Sequence, residues 1–214
     1  MMKKNQNNYL LKKRLEFLNY AKAYISKNGL NKNIFKDISN KYKLELNETE
    51  LLFPEGIIDL IKFALEQLNS ELEDYCTKID LIRLPTHKRI KKVLLSKIFL
   101  MNKDKLFYKT IFLNLLIPKR YFSLPKQLYK SVDHIWFISG DSSVDFNFYT
   151  KRLILSGIYS RIMLFFFNND DQVGLEEILD EDLKRVSKIP EIKSKFKIFK
   201  EYLPKFAKFI KNSN

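Results

Sequence analysis

Apolar residues recur at intervals of three and four positions along most of the chain, which is the spacing of amphipathic helices. Strand signals are scarce, and the sequence contains only five glycines. The pattern therefore predicts an all-α fold. The predicted helices cover residues 14–27, 34–42, 47–53, 54–68, 86–100, 103–117, 124–139, 144–167 and 175–186.

Several helix ends are marked by particular residues. Asn47 is expected to cap the third helix, because its side chain can accept a hydrogen bond from a free amide of the first turn. Pro54 is expected in the first turn of the fourth helix, where its missing N–H costs nothing. Gly140 can end a helix in a left-handed conformation. Ser142 and Asp145 then have the spacing of a capping box for the helix that follows.

Two segments depart from ordinary amphipathic helices. Residues 162–167, which include Phe165, are apolar on every side and are expected to be buried or to line an apolar cavity. Residues 192–210 place apolar side chains alternately four and three positions apart, with seven lysines among or beside them. This is typical of a helix in a membrane interface, although Pro204 should kink or divide it. The predicted membrane-binding residues are Phe196, Phe199, Leu203, Phe206, Ile210, Lys200 and Lys208.

A terminal helix packed on the protein's own core is the alternative for this tail. The charge pattern bears on the choice. The net charge of +14 is divided into blocks of +9 (residues 1–44), −8 (45–80), +12 (81–132), −5 (133–187) and +6 (188–214). Basic blocks favour phosphate-bearing partners, either nucleic acid or an anionic membrane surface. The alternative is that the lysines only keep the protein soluble.

Composition limits the cellular compartment that we expect for this protein. A single cysteine, Cys76, excludes a disulfide framework and fits a reducing compartment. We expect no transmembrane span, because no run of 18 apolar residues occurs. The first residues also lack the apolar segment of a signal peptide. The expected location is the bacterial cytoplasm, peripherally on the inner membrane.

The sequence gives only weak signals for a catalytic or metal-binding site. His87 and His134 lie far apart in the chain, so no metal-ligand spacing emerges. The five glycines are isolated and form no phosphate-binding loop. Asp141 and Asp145 could share a helix face as metal ligands, but helix capping and the helix dipole account for both. We expect no enzyme activity, no metal and no cofactor.

The first 70 residues resemble the helix-turn-helix head of TetR-type regulators. Phe35 to Ile38 matches the motif in that family's second helix, and the Phe53–Pro54 pair matches the end of its recognition helix. Lys43 stands where those regulators keep a turn glycine. The resemblance predicts a TetR-like domain at residues 1–70.

The expected recognition surface is acidic. It carries Glu45, Glu48 and Glu50 where DNA-binding members keep small, hydroxylated and basic residues. Carboxylates repel a phosphate backbone, whereas the usual affinity comes from lysine and arginine. We therefore interpret the head as one that has lost DNA binding. A working repressor with unusual base contacts is the alternative, because residues 1–44 are basic.

Residues 133–159 resemble the signature of the accessory lipid-binding proteins of ubiquinone (coenzyme Q) biosynthesis. That signature reads Trp-aromatic-x-x-Gly-Asp-x-Ser-x-Asp-x-x-Trp-Tyr-Thr-Lys/Arg-Arg, then Ile/Val-Tyr. The chain matches its conserved positions from Trp136 through Arg152 and again at Tyr159. The main departure is Phe148, where the family usually keeps a second tryptophan; the ring remains but the indole donor is lost.

The resemblance implies an all-α, TetR-like homodimer that binds isoprenoid and phospholipid instead of DNA. Such proteins are not thought to be enzymes; they present quinone intermediates from the membrane to a di-iron demethoxyubiquinone hydroxylase. Arg152 would meet a lipid phosphate, and Asp145 would orient this region or contact the hydroxylase. The implied lipid-binding residues are Arg152, Trp136, Phe148, Tyr149, Tyr159 and Phe165. The implied partner-binding residues are Trp136, Asp145, Phe148 and Tyr149.

The sequence thus predicts three regions: a degenerate helix-turn-helix head (1–70), a helical lipid-binding domain (71–187) and a basic amphipathic tail (188–214). The favoured function is a non-enzymatic lipid-presenting factor of ubiquinone biosynthesis that binds no nucleic acid. The alternatives are a TetR-type transcriptional regulator and a scaffold protein that holds no lipid.

Overall fold

The structure, a computed structural model, describes residues 2–31, 33–115, 124–141 and 146–187. Within these ranges every regular element is an α-helix, which confirms the predicted all-α class. The TetR-like arrangement stays a prediction. The helices are α1 (Met2–Asn28), α2 (Ile34–Tyr42), α3 (Leu46–Leu52), α4 (Ile57–Cys76), α5 (Thr86–Asn102), α6 (Lys105–Leu115), α7 (Leu124–Ile138), α8 (Phe146–Asn168) and α9 (Gln172–Ser187).

Several predicted helix starts are wrong. Helix α1 begins at Met2 instead of residue 14, because residues 2–13 are mostly polar and apolar spacing does not detect them. Helix α3 begins at Leu46, so Asn47 lies inside it, and the N-cap residue Glu45 makes no side-chain capping bond. Helix α4 begins after Pro54, because Gly56 has a φ of 60° and its N–H bonds the Phe53 carbonyl at 2.8 Å, closing a turn. A residue with positive φ ends rather than continues a right-handed helix.

The chain divides into two compact units. The first comprises the described parts of Met1–Leu68 and Met101–Ser123. Its helix α1 contacts α2, α3 and α6. Phe17 and Phe53 are buried with ring centroids 5.4 Å apart, and the Arg14 guanidinium lies 4.2 Å from the centroid of the Phe63 ring. Aromatic packing of this kind adds to simple area burial and fixes the helices of the head.

The α2–α3 turn forms without glycine. Lys43 follows α2 with φ 54° and ψ 43°, and the Leu44 N–H bonds the Ser39 carbonyl at 2.9 Å. A lysine therefore adopts the left-handed conformation that usually favours glycine. Among the described contacts, the Glu48 carboxylate of α3 pairs with Lys13 of α1 at 3.5 Å.

The second unit comprises the described parts of Asn69–Leu100 and Leu124–Asn214. Helix α8 contacts both α7 and α9. Helix α9 begins earlier than its apolar pattern predicts, because the Asp171 carboxylate accepts the Gly174 N–H at 2.9 Å and caps the first turn. The core of this unit includes Leu72, Val93, Leu94, Ile135, Ile162 and Leu179.

Candidate functional site at the junction of helices α7 and α8

Helix α7 ends in a glycine motif that sets the direction of the chain toward α8. The Gly140 N–H bonds the Phe137 carbonyl at 2.9 Å, and the Asp141 N–H bonds the Trp136 carbonyl at 3.0 Å. This is the Schellman pattern, and the φ of 79° at Gly140 supplies the left-handed residue that it needs. The prediction that Gly140 ends a helix is confirmed.

A cluster of four charged side chains joins the two helices. It consists of Asp133, Asp141, Lys151 and Arg152, and we call it the junction cluster. Arg152 Nε lies 2.6 Å from Asp133 Oδ1, and Arg152 Nη1 lies 3.2 Å from Asp141 Oδ2. Lys151 Nζ lies 2.6 Å from Asp141 Oδ1. Arg152 and Asp141 are almost fully buried, so their mutual pairing offsets the cost of removing both charges from water.

The junction cluster also fixes an aromatic ring. The Arg152 guanidinium lies 3.3 Å from the centroid of Phe148, and its Nη1 donates to the Phe148 carbonyl at 3.2 Å. The Phe148 and Tyr149 rings meet edge to face with centroids 5.1 Å apart. Tyr149 is 38% exposed, and Phe137, at the end of α7, is 66% exposed. Exposed aromatics held by buried ion pairs are suited to binding a partner surface.

The other two aromatic residues of the signature lie inside the unit. Trp136 is buried, its ring faces Lys151 Nζ at 5.4 Å, and its Nε1 has no hydrogen-bond acceptor among the described residues. Tyr159 is buried as well, and burial raises its pKa to about 12, against a smaller opposing effect of the hydrogen bond with Ser131. Both residues support the interior of the unit more than its surface.

An unusual lysine lies next to Tyr159. Lys97 is 1% exposed; its Nζ lies 5.6 Å from the Tyr159 ring centroid and donates to Asn69 Oδ1 at 3.1 Å. Burial lowers the pKa of Lys97 to about 8. A buried ammonium whose hydrogen-bond partner is a neutral amide is costly, because no carboxylate of the described residues offsets its desolvation.

The structure brings together some of the predicted site residues. Trp136, Phe148, Tyr149 and Arg152 meet at the junction. The guanidinium of Arg152 is engaged by two carboxylates, so its contact with a lipid phosphate stays a prediction. Tyr159 and the half-buried Phe165 lie further along α8. The residues outside the described ranges are Asp145, Phe196, Phe199, Leu203, Phe206, Ile210, Lys200 and Lys208.

Three residues of the site were missed by sequence reasoning. Asp133 and Lys151 complete the junction cluster, and Phe137 is an exposed aromatic residue at the end of α7. All three belong to the signature stretch. The signal that could have found Asp133 is its position three residues before Trp136, on the helix that precedes the basic pair Lys151 and Arg152.

Metal-binding clusters and membrane-spanning helices are both absent from the described ranges. No group of three or more His, Cys, Asp or Glu side chains there has the geometry to hold a metal ion. No helix in those ranges combines the length and the apolar character needed to cross a bilayer.

Comparison with known proteins identifies the region that holds this junction. Residues 123–190, about a third of the chain, match the model of the COQ9 family. This part of the chain is related to the COQ9 family. A 46-residue stretch is 46% identical to "Ubiquinone biosynthesis protein COQ9-A, mitochondrial" of Xenopus laevis and to the COQ9 protein of Xenopus tropicalis, and 44% identical to that of Rattus norvegicus.

The coverage of these matches is limited. The aligned stretch makes up 22% of this chain and only 14% of each Xenopus protein, or 15% of the rat protein. The COQ9 match includes α7, α8 and α9, and therefore the whole junction cluster. The resemblance to the ubiquinone accessory proteins is confirmed for this segment.

Proposed function

We propose that this protein is a non-enzymatic, lipid-binding accessory factor of ubiquinone biosynthesis. In this role a homodimer would take quinone intermediates from the membrane and present them to the demethoxyubiquinone hydroxylase. The observation that carries the proposal is the COQ9 match over residues 123–190, whose relatives are named as ubiquinone biosynthesis proteins. The geometry of the same segment supports it, since the junction cluster holds Phe148, whose ring packs against the exposed Tyr149.

The surface formed by Phe137 and Tyr149 is the proposed contact for the hydroxylase. A large exposed phenylalanine in water is unfavourable, at about 25 cal/mol per Å² of apolar surface, and a partner that covers it removes that cost. The buried pairs of Arg152 keep the neighbouring backbone in place before the partner arrives. Such pre-organisation lowers the entropy lost on binding. Arg152 would then act as a positioning residue for this surface.

The apolar side chains near the C-terminal end of α8 support a role in binding apolar chains. Ile162, Met163, Phe166 and Phe167 are buried, while Leu164 is 48% exposed. An isoprenoid tail is costly to expose to water, so helices with apolar side chains on more than one face suit a lipid carrier. Lipid would enter from the membrane, on which the tail 188–214 is proposed to lie.

The location follows from the same proposal. We propose peripheral attachment to a membrane, driven by the apolar stripe and the lysines of the tail. The bacterial cytoplasm expected from composition stays a prediction, because the three relatives are named mitochondrial proteins.

Capture of the hydroxylase tests the proposed partner surface. In a pull-down on the immobilised full chain, the double variant Phe137→Ala/Tyr149→Ala should weaken binding by about tenfold or more, the usual effect of losing a central aromatic contact. Phe99→Ala is the matched control, because Phe99 is an exposed (53%) phenylalanine of the same unit outside the COQ9 match. Equal effects of the two variants would reject this surface.

Lipid content tests the other half of the proposal. Native mass spectrometry of the purified protein, followed by organic extraction, should detect co-purifying quinone, isoprenoid or phospholipid. If the protein carries no lipid and does not bind vesicles, yet binds the hydroxylase, it would instead be a scaffold protein that holds no lipid.

The regulator remains the second candidate, on the helix-turn-helix pattern of residues 1–70. A salt-titrated DNA-binding assay separates it from the first, because phosphate contacts make DNA binding fall steeply with salt. Tight, salt-dependent binding to one DNA sequence would support a transcriptional repressor and contradict the proposed accessory factor.

A further inference from the structure

A groove between α5 and α9 lies apart from the junction. Both helices belong to the second unit. The groove has a volume of about 580 Å³, within the range of roughly 300–1,000 Å³ usual for small-molecule sites. Leu84, Leu95 and Leu183 give it an apolar floor. None of the junction-cluster residues lines it.

The charged lining of the groove is mostly basic. Four lysines and His87 line it, against the two carboxylates of Glu176 and Asp180. Lys91 Nζ lies 2.8 Å from Asp180 Oδ2 and 3.4 Å from Glu176 Oε2, so one lysine engages both carboxylates. Burial of Lys91 opposes its charge, but Asp180 and Glu176 outweigh it and raise its pKa. Lys91 therefore carries its positive charge at neutral pH.

Two further lysines face the same groove from one side of α5. Lys88 and Lys92 are four residues apart, so their side chains are neighbours on the helix surface, and both are exposed. Like charges at this spacing repel each other and destabilise a helix. An anion between them would remove the repulsion and accept hydrogen bonds from both ammonium groups.

We propose that the groove binds a single-chain amphiphile with a phosphate head, the phosphate between Lys88 and Lys92 and the chain along Leu84, Leu95 and Leu183. A purely ionic ligand fits the groove less well, because it would leave the apolar floor exposed to water. The basic rim disfavours a neutral amphiphile. The proposal stands independently of the function proposed for the junction.

Calorimetric titration of the full chain with dodecyl phosphate, below its micelle concentration, tests the site. The variant Lys88→Gln/Lys92→Gln should bind the probe about tenfold or more weakly, because it loses two charge-assisted hydrogen bonds. Lys105→Gln/Lys109→Gln on α6 is the matched control, with the same spacing and charge change, and should stay within about twofold of the natural protein. Added salt should weaken binding of the natural protein and affect the rim variant less.

Two further probes separate the parts of the ligand. Inorganic phosphate and dodecyl maltoside should each bind far more weakly than dodecyl phosphate. Leu95→Phe should reduce binding by filling the floor, and the rim variant keeps the test valid if that substitution impairs folding. Equal binding of dodecyl phosphate by the rim variant and the control overturns the proposal. So does a change of sedimentation coefficient in the rim variant without loss of probe binding, which would make the groove an interface between two copies.

Discussion

At the scale of single residues, Arg152 shows most clearly how the junction is held. It makes two carboxylate contacts, one carbonyl contact and one ring contact from an almost fully buried position. The fork of a guanidinium allows all four at once, and a lysine ammonium does not. Arg152 therefore stabilises the junction both through the geometry of its side chain and through its charge.

Removing Arg152 should be costly. We expect Arg152→Ala to lower the free energy of unfolding by about 3 kcal/mol, because buried Asp141 keeps only part of its compensation. Urea unfolding followed by circular dichroism measures this. Arg83→Ala is the control, since Arg83 is 88% exposed and its pair with Asp80 should contribute less than about 1 kcal/mol. A loss no larger than in the control would show that the pairs do not hold the junction.

Lys97 makes stability depend on pH in a defined direction. Its pKa falls from 10.5 to about 8 on folding. Below pH 8 both states hold the proton, and the folded state carries the full cost of the buried charge. Between these two values the unfolded chain binds more protons, so stability rises with pH. The contribution over this interval is about 3 kcal/mol.

The variant Lys97→Met lacks this dependence. Its stability relative to the natural protein should be highest at pH 7 and should fall by about 2 kcal/mol between pH 8 and pH 9.5. Urea unfolding at each pH gives the difference, in which the titration of all other groups cancels. Lys92→Met, an exposed lysine on the same helix, should show a flat difference. A flat difference for Lys97→Met as well would mean that Lys97 titrates like a lysine in water.

At the scale of helices, apolar periodicity predicts which segments are helical, but it predicts the first and last residues of each helix poorly. Helix α2 spans the residues that its apolar spacing predicts. Two of the errors lie where a turn or a cap outside the periodic stretch decides the boundary, at Gly56 before α4 and at Asp171 before α9. Such ends depend on a φ value or on one side-chain rotamer, and apolar spacing contains neither.

Gly140 should tolerate substitution poorly. We expect Gly140→Ala to destabilise the protein by about 1–2 kcal/mol, because its φ of 79° is unfavourable for any residue with a Cβ. That Cβ would also lie 3.1 Å from Nη1 of Arg89. Gly157→Ala in the middle of α8 should have the opposite sign, stabilising by about 0.5–1 kcal/mol, since no atom crowds its Cβ. Thermal unfolding of both variants measures the pair; destabilisation by both would contradict this account.

At the scale of the whole chain, sequence reasoning found the segment that matters but not its internal pairing. The signature pointed to residues 133–159, and the COQ9 match falls on the same stretch. Asp141 was interpreted as a helix-dipole residue, whereas it is the buried partner of Arg152 and Lys151. Which carboxylate reaches which cation depends on the angle between α7 and α8, a property that local spacing does not encode.

The charge blocks lead to the prediction at this largest scale, which concerns the tail. Vesicle co-sedimentation of the full chain should increase with the fraction of anionic lipid and decrease with salt, because the Debye length is about 10 Å at 0.1 M and shrinks at higher ionic strength. Lys200→Gln/Lys208→Gln should weaken binding by about 30-fold, since each lysine near an anionic surface contributes about 1 kcal/mol. Lys105→Gln/Lys109→Gln makes the same charge change in the first unit and should have a much smaller effect. Salt-insensitive binding to neutral vesicles would reject the electrostatic part of the proposal and leave the apolar stripe as its cause.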